Sequence, residues 1–175
     1  ADLDAAVAGA MASKFRNMGQ TCVCANRIYV HQSVADDFTA RLAKAVEALK
    51  IGHGGDEGVT QGPLINAAAL QKVQAHIADA LAHGAELVTG GHRHALGGTF
   101  FEPTVLKGAS AKMRVAREET FGPLAPVFSF ADEAEVLAAA NASETGLAAY
   151  VFTTDMARTY RMLENLEYGM VGINT

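Results

Sequence analysis

Two cysteines and a pair of adjacent carboxylates are the residues of this chain best suited to chemistry. Cys22 and Cys24 lie in the run FRNMGQTCVCANR, residues 15–27. Gly19 is expected to break a preceding helix, which leaves Cys22 in a turn ahead of a strand. Backbone N–H groups at such an element end can point at whatever the thiol attacks. A free thiol titrates near about 8.5, and cationic neighbours lower that value; Lys14, Arg16 and Arg27 are close in sequence. A thiolate adds readily to an electrophilic carbonyl. The residue types alone leave three readings open: a nucleophile, two small buried hydrophobes, or a metal or redox pair. Cys-x-Cys lacks a second pair at zinc-finger spacing, which argues against a metal.

The second constellation is REETFGPL, residues 117–124. Glu118 and Glu119 precede Phe121 and a Gly-Pro turn that enters a strand. Carboxylates at a strand edge can accept hydrogen bonds from ribose hydroxyls, and a ring can lie beside a planar cofactor. Spacing alone favours a plainer reading, a solvated acidic loop with Phe121 plugging the core. The six histidines form no cluster. His92 and His94 sit among glycines in a loop. His76 and His83 are seven apart on a helix, which predicts a partly exposed face. No GxGxxG follows a strand and opens a helix, so a dinucleotide-binding Rossmann half is not visible in this stretch.

The elements that must position these groups alternate in type. Leu3, Val7, Ala10, Met11 and Phe15 recur at helical spacing and predict a helix over 3–18 with Asp2 or Asp4 as its cap. RIYVH (27–31) reads as a strand. Ser33 with Asp36 reads as a capping box opening a helix whose buried stripe is Val34, Phe38, Leu42, Val46 and Leu49. Residues 52–63 are a Gly-rich loop. Asn66 to His83 is helical, with Leu70, Val73, Ile77 and Leu81 inward and Gly84 as the stop. Glu86–Thr89, Phe101–Leu106 and Leu124–Phe130 are strands, and GGHRHALGG (90–98) is a loop. Asp132 with Glu135 opens a helix to about residue 142. Leu147–Thr153 is a strand, Asp155–Tyr168 a helix ended by Gly169, and Met170–Ile173 a last strand. Several strands are apolar on both faces, which predicts a layered α/β/α sandwich with a mostly parallel sheet, formed by residues 1–175 as one domain.

Composition narrows the classes. The chain has 175 residues, of which 50% are apolar and 19% charged, enough to fill a core. Fourteen Lys+Arg against 19 Asp+Glu give a net charge of −5, which argues against nucleic acid or an anionic membrane as partner. No apolar run approaches the roughly 18 residues of a membrane span. The acidic start ADLDAAVAGAM does not read as a signal peptide, and two cysteines fit a reducing, cytoplasmic setting.

GQTC and EETFGP, in this order and separated by this much α/β chain, resemble the aldehyde dehydrogenase superfamily. RIYVH, TQGPLI, FFEPTVL and LEYGMVGINT fit the same pattern, and FRNMGQTCVCANRIYV is most similar to its succinate-semialdehyde dehydrogenase branch. The resemblance implies that Cys22 is the nucleophile, forming a thiohemiacetal and then a thioester with the aldehyde. It implies that the Cys22 N–H and an Asn side chain hold the oxyanion, and that hydride passes to NAD(P)⁺. Glu119 matches the residue that binds the nicotinamide ribose, Phe121 the ring beside the nicotinamide, and Lys72 a lysine reaching that ribose. Arg16 matches the arginine that holds the distal carboxylate of succinate semialdehyde, for which a guanidinium fork is suited. Cys24 is a candidate redox partner of Cys22. The resemblance further implies that these residues are the catalytic, cysteine-bearing domain. The ELGG-type motif with the general-base Glu, the oxyanion Asn, the cofactor-binding domain and a C-terminal segment would lie outside them. The piece alone is expected to be inactive, and the whole protein to be a homo-oligomer. Two alternatives accompany this reading: a dehydrogenase for glutarate semialdehyde or another aldehyde, and a stand-alone thiol redox or binding domain.

Overall fold

The structure, a computed structural model, describes residues 2–175. The elements run α1 (Leu3–Lys14), β1 (Ile28–His31), α2 (Ala35–Glu47), α3 (Ala67–Ala82), β2 (Glu86–Thr89), β3 (Thr104–Lys107), β4 (Leu124–Phe130), α4 (Glu133–Asn141), β5 (Ala148–Val151), α5 (Met156–Asn165) and β6 (Met170–Ile173). Four strands form one sheet in the order β1-β4-β3-β2. β1 and β3 run parallel to β4, whereas β2 joins β3 antiparallel with a bulge between Leu87 and Thr89. β5 and β6 form a separate parallel pair, where a single sheet was expected.

Alternation along the central strands explains the layering. Leu124 and Phe128 of β4, with Leu106 of β3, pack against Leu70, Val73 and Ile77 of α3. Ala125 and Val127, with Val105, face the other way, onto Phe38, Leu42 and Val46 of α2 and Val7 of α1. Successive side chains of a strand point to opposite faces, so β4 is buried on both sides and helices cover the sheet above and below. Helix starts follow the cap chemistry: Asp2, Asn66, Asp132 and Asp155 each accept backbone N–H bonds at the heads of α1, α3, α4 and α5.

Several boundaries differ from the sequence expectation for identifiable reasons. α1 stops at Lys14 because Asn17 and Met18 take left-handed conformations, with φ of 48° and 59°. α2 starts without a side-chain cap: the Ser33 hydroxyl pairs with His31 Nδ1 at 2.8 Å instead. Leu81 is exposed on α3. Phe101 pairs only through an isolated bridge to Arg93, and β3 begins after Pro103. α5 ends at Asn165, short of Gly169, where the Asn141 side chain donates to the Asn165 carbonyl at 2.7 Å. Arg158 and Arg161 of α5 clasp Glu133 at the head of α4. These ties hold the two helices together.

A cleft of about 900 Å³ separates that pair from the main sheet. Ile28–His31 line one wall and Ala148–Val151 the other. Among the described residues, neither strand has a ladder partner on its cleft side.

Candidate active site

The cysteine loop is built by three consecutive left-handed residues, Asn17, Met18 and Gly19. The conformation is held by what it buries. Met18 is 1% exposed in the core beneath α3. Gly19 (φ 72°) lies against the Phe121–Pro123 turn, where an added Cβ would stand 2.1 Å from the Gly122 carbonyl oxygen. Gln20 fastens the loop to a second segment: its Oε1 accepts from the Ile65 N–H at 2.8 Å. Tyr150 of β5 donates its hydroxyl hydrogen to the Val23 carbonyl at 3.0 Å.

On this frame Cys22 is exposed and Cys24 half-buried, both as free thiols. Cys24 Sγ lies 2.8 Å from the Thr21 hydroxyl and 3.7 Å from the Arg16 carbonyl oxygen. The Cys22 N–H makes no hydrogen bond among the described residues. Cys22, Cys24, Asn26, Glu118 and Glu119 all line the large cleft. Arg16, Phe121 and Lys72 do not line it; Arg16 and Lys72 are exposed on the surface.

The cations expected to favour a thiolate are arranged differently. Arg27 is committed to the end of α4, donating to the Ala139 and Ala140 carbonyls and the Tyr168 hydroxyl, each at 2.9 Å. Lys14 is fully buried, and its Nζ has no hydrogen-bond partner among the described residues. Burial pushes its ammonium down to about 8, partly offset by the pull of Cys24 and Glu119.

The acidic loop also departs from the plainer expectation. Phe121 does not plug the core: it is 37% exposed, with φ of 52°. Thr120 is the buried residue there, and its N–H donates to Asn26 Oδ1 at 3.1 Å, four residues after Cys22. Gly122 abuts α3, where a Cβ would stand 2.4 Å from Val73 Cγ2. The two sequence motifs are therefore in direct contact, through Gly19 and Gly122 and through Asn26 and Thr120. Glu119 and Phe121 project outward from this junction, and Lys72 lies on α3 next to Val73.

Sequence reasoning missed His76. It is fully buried, with Nδ1 3.0 Å from the Thr120 hydroxyl and Nε2 3.2 Å from Glu118 Oε2. Burial lowers its pKa and keeps the ring neutral, against the opposing pull of Glu118. The Arg114 guanidinium and His76 hold the Glu118 carboxyl down at about 2. The partners are 44 and 42 residues away in sequence, so local spacing carried no signal of them.

The geometry offers an accessible thiol with an unengaged backbone N–H beside it. A carboxylate lines the same cleft, and an aromatic ring is held outward on the loop that carries it. The sequence matches the aldehyde dehydrogenase family profile over residues 1–175. It is 60% identical over its full length to a 3-sulfolactaldehyde dehydrogenase of Pseudomonas putida, covering 36% of that protein. It is 59% identical, again over its full length and 36% of the relative, to the succinate-semialdehyde dehydrogenase [NADP(+)] GabD of Escherichia coli. All of the chain superposes on 36% of a succinate-semialdehyde dehydrogenase structure from Burkholderia pseudomallei, with a TM-score of 0.99 and 63% identity. The chain thus spans about a third of the length of these relatives. With a match that covers every residue and a fold shared with a solved dehydrogenase, the chain belongs to the aldehyde dehydrogenase family.

Proposed function

We propose that these residues are the catalytic, cysteine-bearing part of an NAD(P)⁺-dependent dehydrogenase that oxidises an aldehyde carrying an anionic group, succinate semialdehyde first among them. The observation that carries the reading is Cys22, exposed on a cleft it shares with Glu119. Cys22 Sγ attacks the aldehyde carbon, and the C=O π electrons move onto oxygen. The Cys22 N–H donates to that oxyanion. Glu119 and Phe121 fit a cofactor with a ribose and a planar ring: the carboxylate and the ring are both outward-facing and their backbone is fixed. Glu119 would accept from the ribose hydroxyls, Phe121 would flank the ring, and Lys72 would add a donor from α3. When bound, NAD(P)⁺ supplies the acceptor for the hydride leaving the former aldehyde carbon. Cys22 then carries an acyl thioester, which water hydrolyses to release the acid and restore the thiol. The base for that water is assigned outside these residues, since no ELGG-type motif occurs in the chain.

Arg16 is the specificity residue of this reading. Its exposed guanidinium can pair with a distal carboxylate by two parallel hydrogen bonds. The names of the relatives fit: succinate semialdehyde carries a carboxylate and sulfolactaldehyde a sulfonate. The test is kcat/KM of the whole protein for succinate, glutarate and sulfonated aldehydes against a neutral aldehyde of similar length. Arg16→Ala should lower the values for the anionic substrates at least tenfold more than for the neutral one, about 1.4 kcal/mol of transition-state binding. Equal loss for all substrates removes the anion-clamp assignment, and full turnover by Cys22→Ala removes the nucleophile. A cytoplasmic, homo-oligomeric enzyme remains part of the proposal. Among the described residues, no helix is long and apolar enough to cross a membrane.

A further inference from the structure

From the His76 contacts we infer that His76 is a positioning residue for the cofactor, acting through Glu118 and Thr120 to fix Glu119 and Phe121. The inference rests on the cofactor role proposed above for those two residues.

Glu119 lies between the two residues that His76 grips. One ring nitrogen meets the Glu118 carboxylate at 3.2 Å and the other the Thr120 hydroxyl at 3.0 Å. A single neutral tautomer satisfies both: Nε2–H donates to the carboxylate and Nδ1 accepts from the hydroxyl. Glu118 is held from its other side by Arg114, through Nε at 2.9 Å and Nη2 at 2.8 Å. The Arg114 N–H in turn donates to Asp79 Oδ2 at 2.7 Å, on the same helix as His76. The ring of contacts therefore leaves α3, passes through the loop and returns to α3. Past Phe121, the loop meets α3 again where Gly122 packs on Val73, one turn before His76. α3 holds the loop on both sides of Glu119 and Phe121. This double grip accounts for a bulky residue kept at a φ of 52° with its ring outward. A left-handed conformation in a non-glycine residue persists only where its surroundings impose it.

An apolar residue at position 76 would leave the Thr120 hydroxyl, in a residue only 2% exposed, without its ring partner, and would free Glu118 to follow Arg114 alone. The loop would lose its definition, while the Cys22 frame would keep its further ties through Gln20 and Tyr150.

The experiment uses the whole protein carrying His76→Leu, His76→Gln, Glu118→Gln or Glu119→Ala. The dissociation constant of NAD⁺ and of NADP⁺ is measured by titration calorimetry, beside KM for cofactor and aldehyde, the rate of Cys22 alkylation by iodoacetamide, and Tm. His76→Leu and Glu118→Gln are each expected to weaken cofactor binding about tenfold. Aldehyde KM and Cys22 alkylation should stay within about twofold, and a variant carrying both His76→Leu and Glu118→Gln should be no worse than the poorer single one. His76→Gln, whose amide still donates to Glu118, should recover most of the loss. If His76→Leu does not fold, Glu118→Gln, at an exposed carboxylate, decides the matter alone. Unchanged cofactor binding in Glu118→Gln overturns the inference, as does a parallel fall in alkylation rate and Tm. Should Glu119→Ala leave cofactor binding unchanged, the underlying cofactor reading fails. Should Glu119→Ala weaken it while Glu118→Gln does not, only the positioning role fails.

Discussion

Alanine at position 19 probes the contact that joins the two motif loops. The added Cβ would stand 2.1 Å from the Gly122 carbonyl oxygen, whereas a carbon and a carbonyl oxygen rest at about 3.3 Å. One loop must therefore retreat by about 1.2 Å, the difference of these two distances. The Cβ is fixed by the backbone of residue 19 and the oxygen belongs to the Gly122 backbone, so no flexible side-chain end can absorb the shift. The left-handed conformation at φ 72° adds a folding cost of roughly 1–2 kcal/mol for a residue with a Cβ. A displacement near 1 Å in an active site costs on the order of a hundredfold in rate, about 2.7 kcal/mol. In the whole protein, Gly19→Ala should thus lower kcat/KM about a hundredfold while Tm falls by only a few degrees. Gly62→Ala is the control, because nothing among the described residues lies within 4 Å of its added Cβ. Steady-state kinetics and a thermal melt give both numbers. Gly19→Ala with the kcat/KM of Gly62→Ala would show that the loops do not depend on this contact, and the reasoning would fail.

Peroxide treatment followed by mass mapping should find a Cys22–Cys24 bridge that appears as activity falls and disappears on reduction; loss of activity with both residues free of a bridge removes Cys24 as partner. The clasp of Arg158 and Arg161 holds Glu133 at about 2, below its ordinary 4.5. Its contribution to stability is therefore complete above pH 4.5 and is lost as pH falls towards 2. Glu133→Gln should flatten the acid limb of a Tm-against-pH curve over that window and leave the neutral region's slope unchanged. The 175-residue chain by itself should take up iodoacetamide at Cys22 but produce no steady NAD(P)H with any aldehyde; sustained turnover would contradict the assignment of the deacylating base elsewhere.

What could be read from the sequence follows the range of the interactions. Asp2, Asn66, Asp132 and Asp155 cap helices because a short side-chain oxygen reaches N–H groups two or three residues on, and such local chemistry is visible in the sequence. The strand Leu124–Phe130 was likewise legible, because it is apolar on both faces and burial then follows from position in the sheet. The end of α1 was not legible. Asn17 and Met18 leave the helix because Met18 enters a core shared with α3 and because Gly19 meets Gly122, about a hundred residues later. Lys14 read as a cation close enough in sequence to favour the Cys22 thiolate, yet tertiary packing seals it completely. His76 read as part of a partly exposed helix face because its partners lie in another loop. Of the candidate site, GQTC and EETFGP were visible as separate runs; their contact is a property of the fold.

The facing walls of the cleft have a practical meaning for handling this chain in solution. Ile28–His31 and Ala148–Val151 present two rows of main-chain donors and acceptors with no strand paired along them among the described residues. Open rows of this kind recruit any extended polypeptide that comes near. Isolated in water, the 175 residues should be sticky at that slot before they are sticky anywhere else. An extended peptide added in trans should suppress self-association by occupying it.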